Sequence, residues 1–119
     1  MSAIFVSASL TAAGTPQALA STTSPALPSI VINGVSSGSG SATQQLAQIL
    51  LQADPSNTGA NIYIGGRGMV KATRAGVGLV LPKTAAPVSL GQYGGGVTLD
   101  DLFFDGDTTA DKLLVTLIG

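Results

Sequence analysis

The chain has 119 residues, a net charge of −1, no cysteine and no histidine, a length suited to one domain with a real core. These counts exclude disulfides, thiolate catalysis, cysteine-ligated zinc and the histidine base of most nucleophilic sites. Charged residues make up only 9%, against about a quarter in an average domain, and none precedes Asp54, so no strong field is available to steer nucleic acid.

Residues 2–10, SAIFVSASL, alternate as a strand with Ile4 and Val6 on one side. Ala18-Leu19-Ala20 resembles a leader cleavage site. The start of the chain has no Lys or Arg, however, and Ser and Thr break its apolar run, so a secretory signal is not expected. Residues 11–29 are rich in Ala, Ser, Thr and Pro, and Pro16, Pro25 and Pro28 discourage helix. This predicts an extended N-terminal arm over 1–40, held by contacts within or between subunits. Within it, Ser29–Asn33 forms a short strand closed by the Asn33-Gly34 turn.

Residues 41–119 are expected to form the main domain. QQLAQILLQA fits a helix, with Ser41 and Gln44 as a capping box, and it also fits a strand packed on both sides. A strand from Gln48 to Ala53 is favoured because Ile62-Tyr63-Ile64 follows the turn Asp54–Gly59, which makes a hairpin. Gly65-Gly66-Arg67-Gly68 should break the second strand, leaving Met69–Ala72 as a short one. Gly76–Leu81 is a strand stopped by Pro82; Val88–Leu90 and Val97–Leu99 are weaker ones. Leu102–Phe104 precedes a turn at Asp105-Gly106-Asp107, and Lys112–Gly119 closes the chain with strict alternation. Many short strands with Gly-rich punctuation predict an all-β fold, a β-sandwich or partly closed barrel. No run of 18 apolar residues offers a membrane span.

No motif carries chemistry. GGRGMVKATRAG lacks the phosphate-loop spacing, and turn glycines explain it better. DGDTTAD offers Asp105, Asp107 and Asp111, but misplaces the glycine and lacks the last acid of a calcium loop, so a solvated turn is expected. Asp100 and Asp101 are neighbours on a strand end and point to opposite faces. No S-x-x-K replaces the missing histidine. Arg67, Lys71 and Arg74 form the local basic cluster; they suit either a solvated loop or contact with an acidic partner surface. No cofactor or metal is expected, and the chain is not expected to be an enzyme.

LLQADPSNTGANIYIGG, GVGLVLP, VTLDDLFFDG and the final apolar strand together resemble a small class of tailed-phage virion proteins, over roughly Gln48 to Gly119. The class shows a strand ending in a Q-A/N-x-P-S/D-N-T-G turn, an N-[IV]-Y-[IV]-G strand, a G-[IVL]-x-L-x-P segment and a [LV]-D-D-L-[FY]-x-D-G segment. Lys83–Pro87 departs from the glycine-containing turn usual after the proline. The resemblance implies a jelly-roll-like β-sandwich on the phage head surface, acting as a capsid decoration (cement) protein without catalytic residues. Its implied partners are the major capsid protein and copies of itself, as a trimer or dimer, with no nucleic acid and no membrane. The arm would reach a neighbour. A tail, connector or fibre-base protein of the virion is the alternative. A carbohydrate- or ligand-binding module is the alternative of another class, and it would need Tyr63 or Tyr93 as an exposed platform.

Overall fold

The structure, a computed structural model, describes residues 3–19, 23–24, 31–32, 35–36, 48–90 and 102–118. Among these there is no helix. The strands are β1 (Ala3–Ser9), β2 (Gln17–Ala18), β3 (Thr23–Ser24), β4 (Val31–Ile32), β5 (Val35–Ser36) and β6 (Gln48–Ala53). They continue with β7 (Asn61–Val70), β8 (Ala75–Pro82), β9 (Val88–Leu90), β10 (Phe103–Gly106) and β11 (Lys112–Ile118). Two antiparallel sheets dominate: a five-stranded one in the order β3-β1-β11-β6-β9, and a four-stranded one in the order β2-β10-β7-β8. β4 and β5 pair with each other, Val31 with Ser36 and Ile32 with Val35, and Asn33 and Gly34 between them lie outside the described residues.

Period-two alternation places the core. Leu113, Val115 and Leu117 of β11 and Ile49, Leu51 and Ala53 of β6 point inward. They meet Ile62 and Ile64 of β7, Leu81 of β8 and Phe104 of β10, so the two sheets share one aliphatic core. β6 is therefore buried on one face, not on both as its apolar run suggested.

Residues 3–19 do not stand apart as an arm. β1 pairs along its whole length with β11 and also carries β3, while Val6, Ala8, Leu10 and Leu19 are core residues. Alternating apolar side chains on a strand gain most when both neighbours in a sheet are present, and β11 supplies that partner. Most of 20–47 lies outside the described residues.

The expected β6–β7 hairpin is also not formed. β6 pairs with β11 and β9, whereas β7 pairs with β8 and β10 in the other sheet. Residues 54–60 thus cross between sheets. Three further connections made wholly of described residues do the same: 10–16 joins β1 to β2, 83–87 joins β8 to β9, and 107–111 joins β10 to β11. The registers put all four crossings at one end of the molecule, because Ser9 pairs with Lys112, Ala53 with Leu113, Gly106 with Ile62, and Asn61 with Pro82.

Nor do the glycines at 65–68 end β7. The strand runs through them with register shifts against β8, a bulge of the kind glycine permits. Gly65 lies so close to β8 that a Cβ would sit 2.2 Å from the Gly76 carbonyl oxygen. Gly76 itself has φ +71, in the left-handed region glycine tolerates.

Candidate interaction surfaces

The four crossings are wired together by carboxylates and one amide. Asp111, 4% exposed, accepts the Thr58 N–H at 2.9 Å and the Gly59 N–H at 2.8 Å. Asp105, fully buried, accepts the Gly14 N–H at 2.9 Å and its neighbour's N–H, Gly106, at 2.7 Å through Oδ1. Its Oδ2 has no hydrogen-bond partner. Asp107 accepts the Asn61 N–H at 3.1 Å and the Tyr63 hydroxyl at 3.0 Å. Asn57 behaves as a short strand: its Oδ1 accepts the Lys112 N–H at 2.7 Å and its Nδ2 donates to the Lys112 carbonyl at 2.9 Å. Lys83 then reaches from the fourth crossing to the Asn57 carbonyl at 3.2 Å. The expected solvated turn at Asp105–Asp111 is therefore a structural hub. Asp105 and Gly106 belong to β10, and two of the three acids are buried. Among the described residues no group of three or more acids is arranged to hold a metal ion.

The basic cluster lies along the bulged β7–β8 hairpin. The Arg67 guanidinium sits 5.4 Å from the Phe103 ring centroid, and that of Arg74 sits 4.7 Å from the Tyr63 ring, within cation–π range. Lys71 donates to the Gly106 carbonyl, and Arg74 to the Lys71 carbonyl. Cross-strand register explains the gathering: Phe103 pairs with Gly65 and Asp105 with Tyr63, so both rings occupy the outer side of the β10–β7 pair. Among the described residues none of the three cations meets a carboxylate. The structure thus brings together Arg67, Lys71 and Arg74, and it shows them tied to their own chain rather than hanging in a loop. Sequence reasoning missed the two rings under them, because no local signal says which strand will lie beside β7. Tyr63 is only 4% exposed beneath Arg74, so it forms no exposed platform for sugar; Tyr93, Asp100 and Asp101 lie outside the described residues.

The outer side of the five-stranded sheet differs in kind. Here β11 presents Leu114, Thr116 and Ile118, partly exposed. β6 presents Gln48, Leu50 and Gln52, with a Gln48–Ser89 side-chain hydrogen bond of 2.6 Å across to β9. β1 presents Phe5, 71% exposed, the most exposed large apolar side chain among the described residues. Register aligns Phe5, Thr116, Leu50 and Ser89 in one row across four strands. Among the described residues, charge on this face is confined to its margin, where Lys112 lies beside Ser9 on one side and attracts Asp54, just past the end of β6, on the other.

A third feature is an apolar cleft of about 390 Å³ between the edges of the sheets, lined by Ile64, Leu79, Leu90, Leu102 and the glycines of β7 and β8. Leu90 and Leu102 flank residues 91–101, which lie outside the described set.

No family model matches this chain, and neither the curated proteins nor the solved structures contain a match.

Proposed function

We propose that this chain is a non-enzymatic structural protein of a phage particle, a capsid decoration protein that binds across subunits of the main shell protein on the head surface. The observation that carries the reading is the partly apolar outer face of the five-stranded sheet, charged only at its margin among the described residues, with Phe5 projecting from it. An exposed apolar patch on an ordered sheet marks a contact surface. It suits a protein that holds neighbours together by many modest contacts, each weak after association entropy is subtracted and multiplied by repetition on a lattice.

We further infer a β-sandwich of jelly-roll type. The strand orders β1-β11-β6-β9 and β2-β10-β7-β8, with four sheet-to-sheet crossings at one end, support this. Eight strands wound as two Greek keys recur in viral capsid domains and also in lectins and cupins, so the topology alone does not choose the function. The expectation that a separate arm reaches a neighbour is dropped for residues 3–19, which are needed inside the sheets. Arg67, Lys71 and Arg74 remain the proposed contact for an acidic shell surface.

Copy number tests this reading. Quantitative mass spectrometry of purified particles should find the chain at a ratio near that of the shell protein. About a dozen copies would move it to the tail or connector, and absence from particles would overturn the virion reading. The apolar cleft favours one reading of another class, a module for a small apolar ligand. A shift in thermal stability with an apolar dye, lost on Leu79→Gln, would support it.

A further inference from the structure

We infer that the outer side of the β10–β7 pair is a carboxylate-binding site, in which the Arg67 and Arg74 guanidinium groups, each lying on an aromatic ring, bracket one acidic side chain of a partner protein. The inference rests on the acidic contact proposed above and names the group that this contact holds.

The arginines are placed with unusual economy. The chain has two of them, and its other cations are Lys71, Lys83 and Lys112. Both arginines lie over a ring, Arg67 over Phe103 and Arg74 over Tyr63. Arg74 does so from a left-handed backbone, φ +65. Glycine or asparagine would hold that turn with less strain, so turn geometry alone does not account for an arginine there.

Spacing then suits one oxyanion. Tyr63 faces Asp105 across the β7–β10 ladder, and Phe103 faces Gly65. The two rings are therefore diagonal neighbours, about 7–8 Å apart at the backbone. A guanidinium that donates to an oxyanion holds its carbon about 4 Å from the central atom of that group. Two guanidinium groups carried at the spacing of the rings can share one carboxylate between them. Their donors are open to it. Arg67 donates no hydrogen bond to a described residue, and Arg74 donates to the Lys71 carbonyl. Asp107, the acid that meets Tyr63, spends its oxygens on the Asn61 N–H and the Tyr63 hydroxyl. Lys71 adds a third positive charge, anchored on the Gly106 carbonyl. Because each ring holds its guanidinium before a partner arrives, less side-chain freedom is lost on binding.

The reach of the cluster favours a protein carboxylate over a nucleic-acid phosphate. A nucleic-acid backbone is followed by a track of cations. Here Lys83 and Lys112 belong to the loop end, where Lys83 donates to the Asn57 carbonyl and Lys112 attracts Asp54. The positive surface stops at Arg67, Lys71 and Arg74, and a planar carboxylate matches the guanidinium fork.

Proton–nitrogen NMR of the isotope-labelled full chain tests this, with a capped tetraglutamate peptide as probe and NaCl holding the ionic strength constant. Since the chain has two arginines, its side-chain Nε–Hε signals report on this site alone. Both should shift along one saturating curve, with a dissociation constant on the order of 1 mM, while capped tetraglutamine shifts neither. Arg67→Lys and Arg74→Lys keep the charge and lose the fork. Each should weaken binding about fivefold or more, read from the remaining arginine, with the backbone amide spectrum showing the fold kept. Phe5→Thr, on the other sheet, should leave binding unchanged. Signals that do not saturate, or binding indifferent to both lysine variants, would overturn the inference. A single-stranded oligothymidylate that saturates the site at lower concentration than the peptide would overturn the carboxylate assignment in favour of phosphate. The two readings fail separately: arginines that ignore the peptide in a chain found in particles sink only this one, and a peptide-binding chain absent from particles sinks only the virion role.

Discussion

At the loop end, Asp105, Asp107, Asp111 and Asn57 spend their polar atoms on backbone groups of neighbouring crossings. Across the outer side of the five-stranded sheet, the described side chains are apolar, hydroxyl or amide, and charge is confined to Lys112 and the neighbouring Asp54 at the margin. With six acids and five bases in the whole chain, this division has a consequence. Four of the six acids, Asp54 included, accept hydrogen bonds inside the loops, so order at the loop end is obtained from the same residues that would otherwise solvate the surface. The sheet face is left able to meet another apolar face without desolvating ions, which is the costly step in burying charge.

The largest expected effect comes from cutting the wiring. Asp111→Ala removes two charge-assisted bonds and leaves the buried Gly59 N–H without its acceptor. It should cost about 3 kcal/mol, read as a lower urea midpoint with unchanged m. A loss under about 1 kcal/mol would show that the crossings hold by packing alone. Tyr63→Phe is milder. It keeps the ring beneath Arg74 and deletes only the hydroxyl bond to Asp107, so about 1 kcal/mol is expected. On the open face, Phe5→Thr should change folding stability by no more than about 0.5 kcal/mol, because the side chain is 71% exposed. A larger loss in dilute monomer would mean that Phe5 is packed by its own chain, and the contrast between the two regions would fall.

Most strands could be read from the sequence because alternation and stop signals are local. The β11 pattern, Pro82 after β8 and the apolar run of β6 each carry their own evidence. Partners could not be read in that way. Asp54–Gly59 has turn chemistry that serves a hairpin and a sheet crossing equally. What turns it into a crossing is Asp111, more than fifty residues on, which accepts Thr58 and Gly59, while β11 claims β6. The continuity of β7 was hidden for a related reason. Glycine at 65 reads as a break until Gly76 is known to approach it, and then it is the residue that lets the strand pass. Arg67, Lys71 and Arg74 were visible as a cluster, but the aromatic rings beneath them depend on the β7–β10 register.

The smallest effect concerns the one loop acid that is wired locally. Asp54 accepts the Ser56 N–H at 2.9 Å and the Ser56 hydroxyl at 2.8 Å. The Ser56 backbone bond first, then its hydroxyl, hold the Asp54 carboxyl below the ordinary aspartate value, and Lys112 adds a weaker attraction. A carboxyl with a lowered folded pKa binds fewer protons folded than unfolded over the window between the two values. Its contribution is therefore complete above the unfolded value, about 3.9, and is lost as pH falls through the folded one. Solvent screening at this site keeps the contribution small. Asp54→Asn should leave stability near neutrality only slightly lower and make the decline below about pH 4 shallower, measured by urea titration from pH 7 to 2. An identical acid slope in both proteins would show that the two Ser56 bonds to Asp54 add nothing to acid stability, and that this locally wired acid contributes only through the shape of its turn.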